Sequence, residues 1–333
     1  YDKLPIILPG RDLAPADKNV ALEFKAKLRN LLVKAGASEV LTYSFVPGRL
    51  LEAAGQDPRE AYHIRNAVSP DLQYYRLSLV PSLLEKIHPN QKNGFDAFAL
   101  FEIGLGHVKG FVDDKKLPIE TESLALAVMN PYASGAPYYQ ARALADFLFA
   151  ELNIAERTYT PLDEEKIKIK SSWHKAFEPG RSAVVRSPEH VLGIIGEPTA
   201  KLRSALKLPP ATSVFELDIP NLYESQLDQP YRPLNRFPSS IQDICLRLPV
   251  SVNYGQADQL VWHTLDKLAN QAGYDYDMET LDIFQKPADK HSHQITWRIS
   301  LRHPDKTLTT DEVNKLLAGL AQRAKQALKA ERV

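Results

Sequence analysis

The sequence holds a single cysteine, Cys245, in 333 residues. One thiol cannot make an internal disulfide, and no cysteine pair exists to anchor a zinc ion. The chain is therefore expected to work in a reducing compartment, the cytoplasm. Charge of one sign is missing too: 41 Lys and Arg balance 41 Asp and Glu. That removes the global basic signature of a nucleic-acid binder and leaves only a local basic face open to it. No apolar run approaches the roughly 20 residues that span a bilayer, so no membrane role is expected. Low-complexity tracts, internal repeats and a signal-peptide pattern are absent. The chain opens on Tyr1 and not on Met, and is expected to be a piece of a longer protein. What is present is an ordinary globular mixture, 44% hydrophobic and 25% charged. That composition excludes a disordered or fibrous chain, and the length fits two or three domains.

Residues 1–16 contain Pro5, Pro9 and Pro15, each of which disfavours helix at the residue before it, so they read as a linker or domain edge. Asp17 precedes a helical pattern in which Val20, Phe24, Leu28, Leu31, Leu32 and Ala35 recur on one face, closed by Gly36. Glu39–Val46 reads as a strand. Pro81 opens a helix expected to run to Ile87 and stop at Pro89. Strands are expected at Phe98–Ile103 and Leu124–Met129, and a helix at Tyr139–Leu152. Shorter strands follow at Ser182–Val185, Val191–Ile195 and Ser213–Leu217, with a helix at Ala200–Leu206 between the last two.

A second linker at 229–238 carries Pro230, Pro233 and Pro238 and marks a domain boundary. Beyond it the pattern is strand (Ile244–Val250), helix (Gln256–Ala272), strand (Thr280–Phe284), strand (Gln294–Leu301) and helix (Asp311–Ala330). That βαββα order is ferredoxin-like. Thr310, followed by Asp311 and Glu312, reads as the helix cap. Residues 231–333 hold 14 Lys and Arg against 12 Asp and Glu, so a basic face there depends on placement and not on excess. His291-Ser292-His293 with His303 lacks the spacing of a metal site, and no metal is expected. No nucleophile–base or acid pair stands at recognised spacing, which argues against an independent hydrolase.

A string of local patterns then occurs in one order. LRNLLVKAGASEVLTYSF (28–45), NAVSPDLQYYRLSLVPSLL (66–84), ALFEIG (99–104), FEPGRSA (177–183) with LGIIGE (192–197), and VFELDIPNL (214–222) resemble the synthetase-like domain of bacterial-type phenylalanyl-tRNA synthetase β subunits. Phe237-Pro238, Asp243, Leu281–Phe284 and TLTTDEV (307–313) resemble that family's anticodon-binding domain. Each match alone is short; their common order gives them their specificity.

The resemblance implies an α+β fold: a class II synthetase-like antiparallel sheet with flanking helices over 17–228, a linker at 229–238, and a ferredoxin-like βαββα domain over 239–333, with 1–16 ending a preceding domain. It implies a non-catalytic part of phenylalanine–tRNA ligase that assembles with a catalytic α subunit, as an α2β2 heterotetramer, and binds the anticodon region of tRNA(Phe). ATP and Mg²⁺ belong to the whole enzyme and not to this chain. Class II catalysis requires arginines on the ATP phosphates and a late glycine-rich strand ending in Arg; Leu105, Gly106 and His107 stand where the first such Arg would be approached, and Gly193 and Gly196 read instead as tight strand-edge positions. Arg76 and Arg181 read as structural ion pairs. By family position, Ser239, Asp282, Phe284, Gln294 and Arg298 are candidates for anticodon contact, Asp282 by accepting from a guanine edge and Phe284 by stacking. Arg302 and Lys306 are further candidates for phosphate. The family often has Tyr at Phe284, Ser at Gln294, Arg at Gln242 and His at Glu178. The helix carrying Phe24, Leu28, Leu31 and Leu32 is expected at the subunit interface, although the same stripe would serve an ordinary core. A free-standing RNA-binding module is the alternative reading, and it would leave residues 28–222 idle.

Overall fold

The computed structural model describes all residues except 1, 9, 11–14, 16, 70, 163–171, 228–234 and 287–288. Much of the opening segment read from sequence, and the linker residues Pro230 and Pro233, lie outside the described residues. The chain divides into two compact units, Tyr1–Gln229 and Pro230–Val333.

The first unit begins with α1 (Val20–Lys34). Its cap is Asn19, not Asp17: the Asn19 side chain accepts the Leu22 N–H. Gly36 at φ +85° follows the helix end, the left-handed position that glycine occupies without a Cβ penalty. The expected strand 39–46 is broken into β1 (Ala37–Glu39) and β2 (Phe45–Val46), because only the first piece pairs with the main sheet. Then come α2 (Gly48–Ala53), β3 (Tyr74–Tyr75), α3 (Val80–Leu84) and α4 (Ile87–Lys92). Pro89 does not stop a helix. It sits in the first turn of α4, where its missing N–H has no intrahelical partner to lose.

The remaining elements are β4 (Phe98–Val112), β5 (Pro118–Met129), α5 (Tyr138–Glu151), β6 (Thr158–Pro161), β7 (Phe177–Arg186), β8 (Val191–Pro198), α6 (Ala200–Leu206), β9 (Thr212–Asp218) and α7 (Ile219–Glu224). Seven strands form one sheet in the order β1-β4-β5-β9-β8-β7-β6, with β1 parallel to β4 and every other pairing antiparallel. Both faces are covered. Leu124 and Leu126 pack with Phe24, Leu28, Leu32, Ala145 and Leu148 under α1 and α5. Ala125 and Ala127, one residue out of phase, pack with Leu83, Leu84 and Ile87 from α3 and α4. A strand buried on both sides has no polar face to alternate, which explains the continuous run LALAVM.

The second unit contains β10 (Ser240–Pro249), α8 (Tyr254–Ala272), β11 (Asp275–Phe284), β12 (Ser292–Arg302), α9 (Thr310–Leu328) and a short β13 (Glu331–Arg332). Its sheet order is β11-β12-β10-β13, antiparallel throughout. Both helices carry a capping box, from Asn253 with Gln256 and from Thr309 with Glu312. The cap of α9 is thus Thr309, one residue before the Thr310 expected from sequence. One sheet face, with Ile244, Leu246, Ile295, Trp297 and Ile299, is buried against α8 and α9; the Trp297 indole N–H reaches Asp258 at 2.9 Å. Among the described residues, no layer of the second unit covers the opposite face.

Gly193 and Gly196 lie inside the large sheet, not at its edge. Gly193 has φ +151°, and a Cβ there would meet the Glu216 carbonyl oxygen at 2.1 Å and Leu217 Cα at 2.8 Å. Backbone cannot retreat as a side chain tip can. Gly193→Ala is expected to cost on the order of 3 kcal/mol in a denaturant melt.

Candidate nucleic-acid interface

Two regions of the molecule carry the chemistry read from sequence. The first is the α3 face of the large sheet. Arg76 is buried there and held by three hydrogen bonds: Nη1 donates to Glu102 Oε1 at 2.9 Å and to Thr42 Oγ1 at 2.7 Å, and Nε donates to the Leu105 carbonyl at 3.0 Å. Beside it, Glu216 on β9 accepts the backbone N–H groups of Leu79 (3.1 Å) and Val80 (3.3 Å), at the start of α3. Burial pushes the Glu216 carboxyl up to about 7, against the pull of those N–H groups and of Arg76. At Gly106 the Leu77 carbonyl oxygen lies 2.7 Å from where a Cβ would stand. This face is closed by the chain's own segment Arg76–Val80, and its arginine is buried beneath it. The residues do not fit a bound ATP with Mg²⁺. Arg181 is different: it is 60% exposed and bridges to the buried Glu197 at 3.0 Å.

The second region is the open face of the small sheet. Register decides which side chains meet there. Phe284, Gln294 and Arg247 form one cross-strand row, and Asp282, Thr296 and Cys245 the next. Glu279, Arg298 and Asp243 form a third row. Phe284 is 46% exposed, a large ring on an open surface and not a core residue. It lines a cleft of about 180 Å³ with Gln294, Arg247, Lys286, Asp289, Ser292 and His293. A ring, an amide and cationic side chains around one concavity suit an unstacked base with its phosphate. Asp289 builds the turn beside it, accepting from the His291 and Ser292 N–H groups and the Ser292 hydroxyl, which hold its carboxyl down at about 2.

The candidates from sequence are not all gathered there. Phe284 and Gln294 line the cleft, and Asp282 stands one row away. Arg298 is held in a two-point ion pair with Asp243, both contacts at 2.9 Å. Arg302 pairs with Asp277, and Lys306 with Glu312. Ser239 adjoins the Ser240–Leu301 pairing at the opposite end of the sheet, roughly 25 Å from the cleft by strand rise. Arg247 and Lys286 were missed by the sequence reading; no local motif marks them, and only the β10–β12 register and the β11–β12 hairpin bring them in. Among the described residues no three His, Cys, Asp or Glu side chains gather to hold a metal.

The interface candidates are corrected by position. Phe24, Leu28, Leu31 and Leu32 are buried in this chain's own core, against the sheet and α5. A helix packs on its own domain with the same stripe it would offer a partner. The large apolar side chains that α1 leaves exposed are Val20, Leu22 and Val33.

A family model described as "Phenylalanyl tRNA synthetase beta chain CLM domain" matches residues 4–219. The chain belongs to this family. Among curated relatives, the phenylalanine–tRNA ligase β subunit of Symbiobacterium thermophilum is 28% identical over 99% of this chain and 36% of its own length. That of Pseudomonas savastanoi pv. phaseolicola is 27% identical over 99% of this chain and 40% of its own length. The chain thus spans about two fifths of the length of these relatives. A pyrrolysyl-tRNA synthetase structure from Desulfitobacterium hafniense aligns at a TM-score of 0.46 and 16% identity, covering 61% of this chain and 65% of that one, too distant to add to the family assignment.

In this family member the buried Glu216 makes a pH prediction. Its folded pKa of about 7 lies above the ordinary 4.5, so the native state holds the proton more tightly than the unfolded chain. Stability is therefore fully present below pH 4.5 and declines as pH rises towards 7, by up to on the order of 3 kcal/mol. Urea melts across that window should show the decline, and Glu216→Gln should flatten it.

Proposed function

We propose that this chain is the C-terminal part of a phenylalanyl-tRNA synthetase β subunit, a non-catalytic piece that assembles with a catalytic α subunit and binds the anticodon region of tRNA(Phe). The family match over 4–219, with relatives aligned along 99% of the chain, carries the reading. The first unit is then the class II synthetase-like domain, inactive by itself. Its sheet face is closed by Arg76–Val80 and lacks an arginine at Leu105–His107, which supports that view: aminoacylation of tRNA(Phe), with ATP and Mg²⁺, takes place in the α subunit.

The second unit is a ferredoxin-like anticodon-binding domain. Its βαββαβ order, with the two outer halves of the chain interleaved in one antiparallel sheet, supports that fold. Phe284 stacks on a base, Asp282 and Gln294 meet base edges, and Arg247 and Lys286 take the phosphate. The assembly is an α2β2 heterotetramer in the cytoplasm; among the described residues no helix is long and apolar enough to cross a membrane.

Phenylalanine-dependent ATP–pyrophosphate exchange tests the division of labour. The chain alone should be silent, and addition of the cognate α subunit should restore turnover. Exchange by the chain alone would refute the inactive first unit. For the anticodon role, Phe284→Ala should weaken tRNA(Phe) binding by about 5- to 100-fold, the range for loss of one base–aromatic stack. Its melting temperature should stay near wild type, because the ring lies on the surface.

A further inference from the structure

On the α5 face of the large sheet, away from the closed Arg76–Glu216 face, the first unit has a second cleft. It encloses about 470 Å³ and is lined by Tyr138, Tyr139 and Arg142 of α5, Tyr159 of β6, Arg181 of β7 and Glu197 of β8, among others. That volume lies within the range of small-molecule sites.

Its charge is unbalanced in a specific way. Asp146 is shared by two arginines, Arg142 at 3.3 Å and Arg157 at 3.0 Å. Glu197 is likewise shared by Arg181 at 3.0 Å and Arg203 at 3.4 Å. Each carboxylate neutralises one guanidinium and leaves one positive charge over. Arg142 and Arg181 are the members of each pair that reach the cleft, one from the helix wall and one from the strand wall. Arg142 is also fixed in place, stacked 4.3 Å above the Tyr159 ring, while the Tyr159 hydroxyl donates to Asp146. Tyr139 is 61% exposed, and its ring stands edge-to-face with Tyr138 at 5.3 Å between centroids.

We propose that this cleft binds a nucleoside phosphate, its base against the tyrosine rings and its phosphate between Arg142 and Arg181. Two surplus guanidiniums call for a doubly charged anion, and a phosphate takes a guanidinium fork in two-point fashion. The tyrosines call for a planar ring beside that anion. A zwitterionic aromatic amino acid fits poorly, because the one acid among the described residues of the lining, Glu197, already holds two arginines. The site is independent of the anticodon reading, which concerns the second unit.

The experiment is a fluorescence titration of the whole chain with N-methylanthraniloyl-AMP, displaced by unlabelled competitors. AMP should displace it with a Kd of about 0.1–1 mM, and affinity should fall with added salt. Adenosine and inorganic phosphate should each compete at least about tenfold less well, since each supplies only one half of the contact. Arg181→Ala and Tyr139→Ala, both at exposed positions, should each weaken binding about tenfold; Leu41→Ala, at an exposed position outside both clefts, should leave it unchanged. A single-stranded RNA hexamer that competes as well as AMP would identify an RNA nucleotide as the occupant; displacement by AMP alone would identify a free nucleotide. The proposal is overturned if the probe does not bind, if adenosine competes as well as AMP, if both cleft variants bind as wild type, or if Leu41→Ala abolishes binding.

Discussion

One buried carboxylate constrains the first unit more than any other group. Glu216 lies near the middle of a seven-stranded sheet, with strands on both sides and helices on both faces. A carboxyl group there needs hydrogen-bond donors brought to it, because leaving it without partners would cost several kcal/mol. The donors are the first N–H groups of α3. That choice pins α3 over β5 and β9. With α3 in place, Leu77 lies against Gly106 and Arg76 is driven beneath, onto Glu102 and Thr42. The closure of this face follows from a short chain of contacts, each required by the one before.

The second unit solves its packing with one face only. Trp297 and its neighbours are committed to the helices, and the outer face is left to charge. There the arginines and carboxylates of adjacent strands neutralise each other, as Arg298 does with Asp243. At the Phe284 row the pairing is looser: Arg247 lies 3.8 Å from Glu331, and both side chains are exposed. Recognition at such a surface is local, resting on ring contact and short hydrogen bonds and not on a broad positive field.

What could be read from sequence divides along physical lines. Long elements with clear periodicity, such as α1, α5, α8 and α9, were legible to within a residue or two, because burial of one face imposes the 3.6-residue repeat. Caps were harder: Asn19 and Thr309 act where Asp17 and Thr310 seemed better placed, since several polar residues in a row offer the same chemistry. Pro89 misled because a proline in a first turn and a proline after a last turn look alike from sequence. The acidic half of β11 escaped because Asp275, Asp277 and Glu279, residue types depleted from strands, alternate with Tyr276 and Met278 and mask the pattern. At the cleft, Phe284 and Gln294 are residues that the resemblance had singled out, whereas Arg247 is brought in by a pairing between distant strands. The burial of Phe24, Leu28, Leu31 and Leu32 could not be told from an interface, since both present one apolar stripe.

The strand order has a consequence for how the chain acquires its shape. β9 comes after all the other strands of the large sheet in sequence, yet it lies in the middle, between β5 and β8. Before it emerges during synthesis, β1-β4-β5 and β6-β7-β8 are two separate ribbons, each with an apolar edge unpaired. Those edges are open to pairing with other chains until residues 212–218 join them. The ribbons lack the Glu216 carboxylate as well, so the N–H groups that open α3 have no acceptor there. The nascent first unit therefore stays unassembled until its last strand arrives, and a ribosome pausing just before that strand would hold the chain at its most aggregation-prone length.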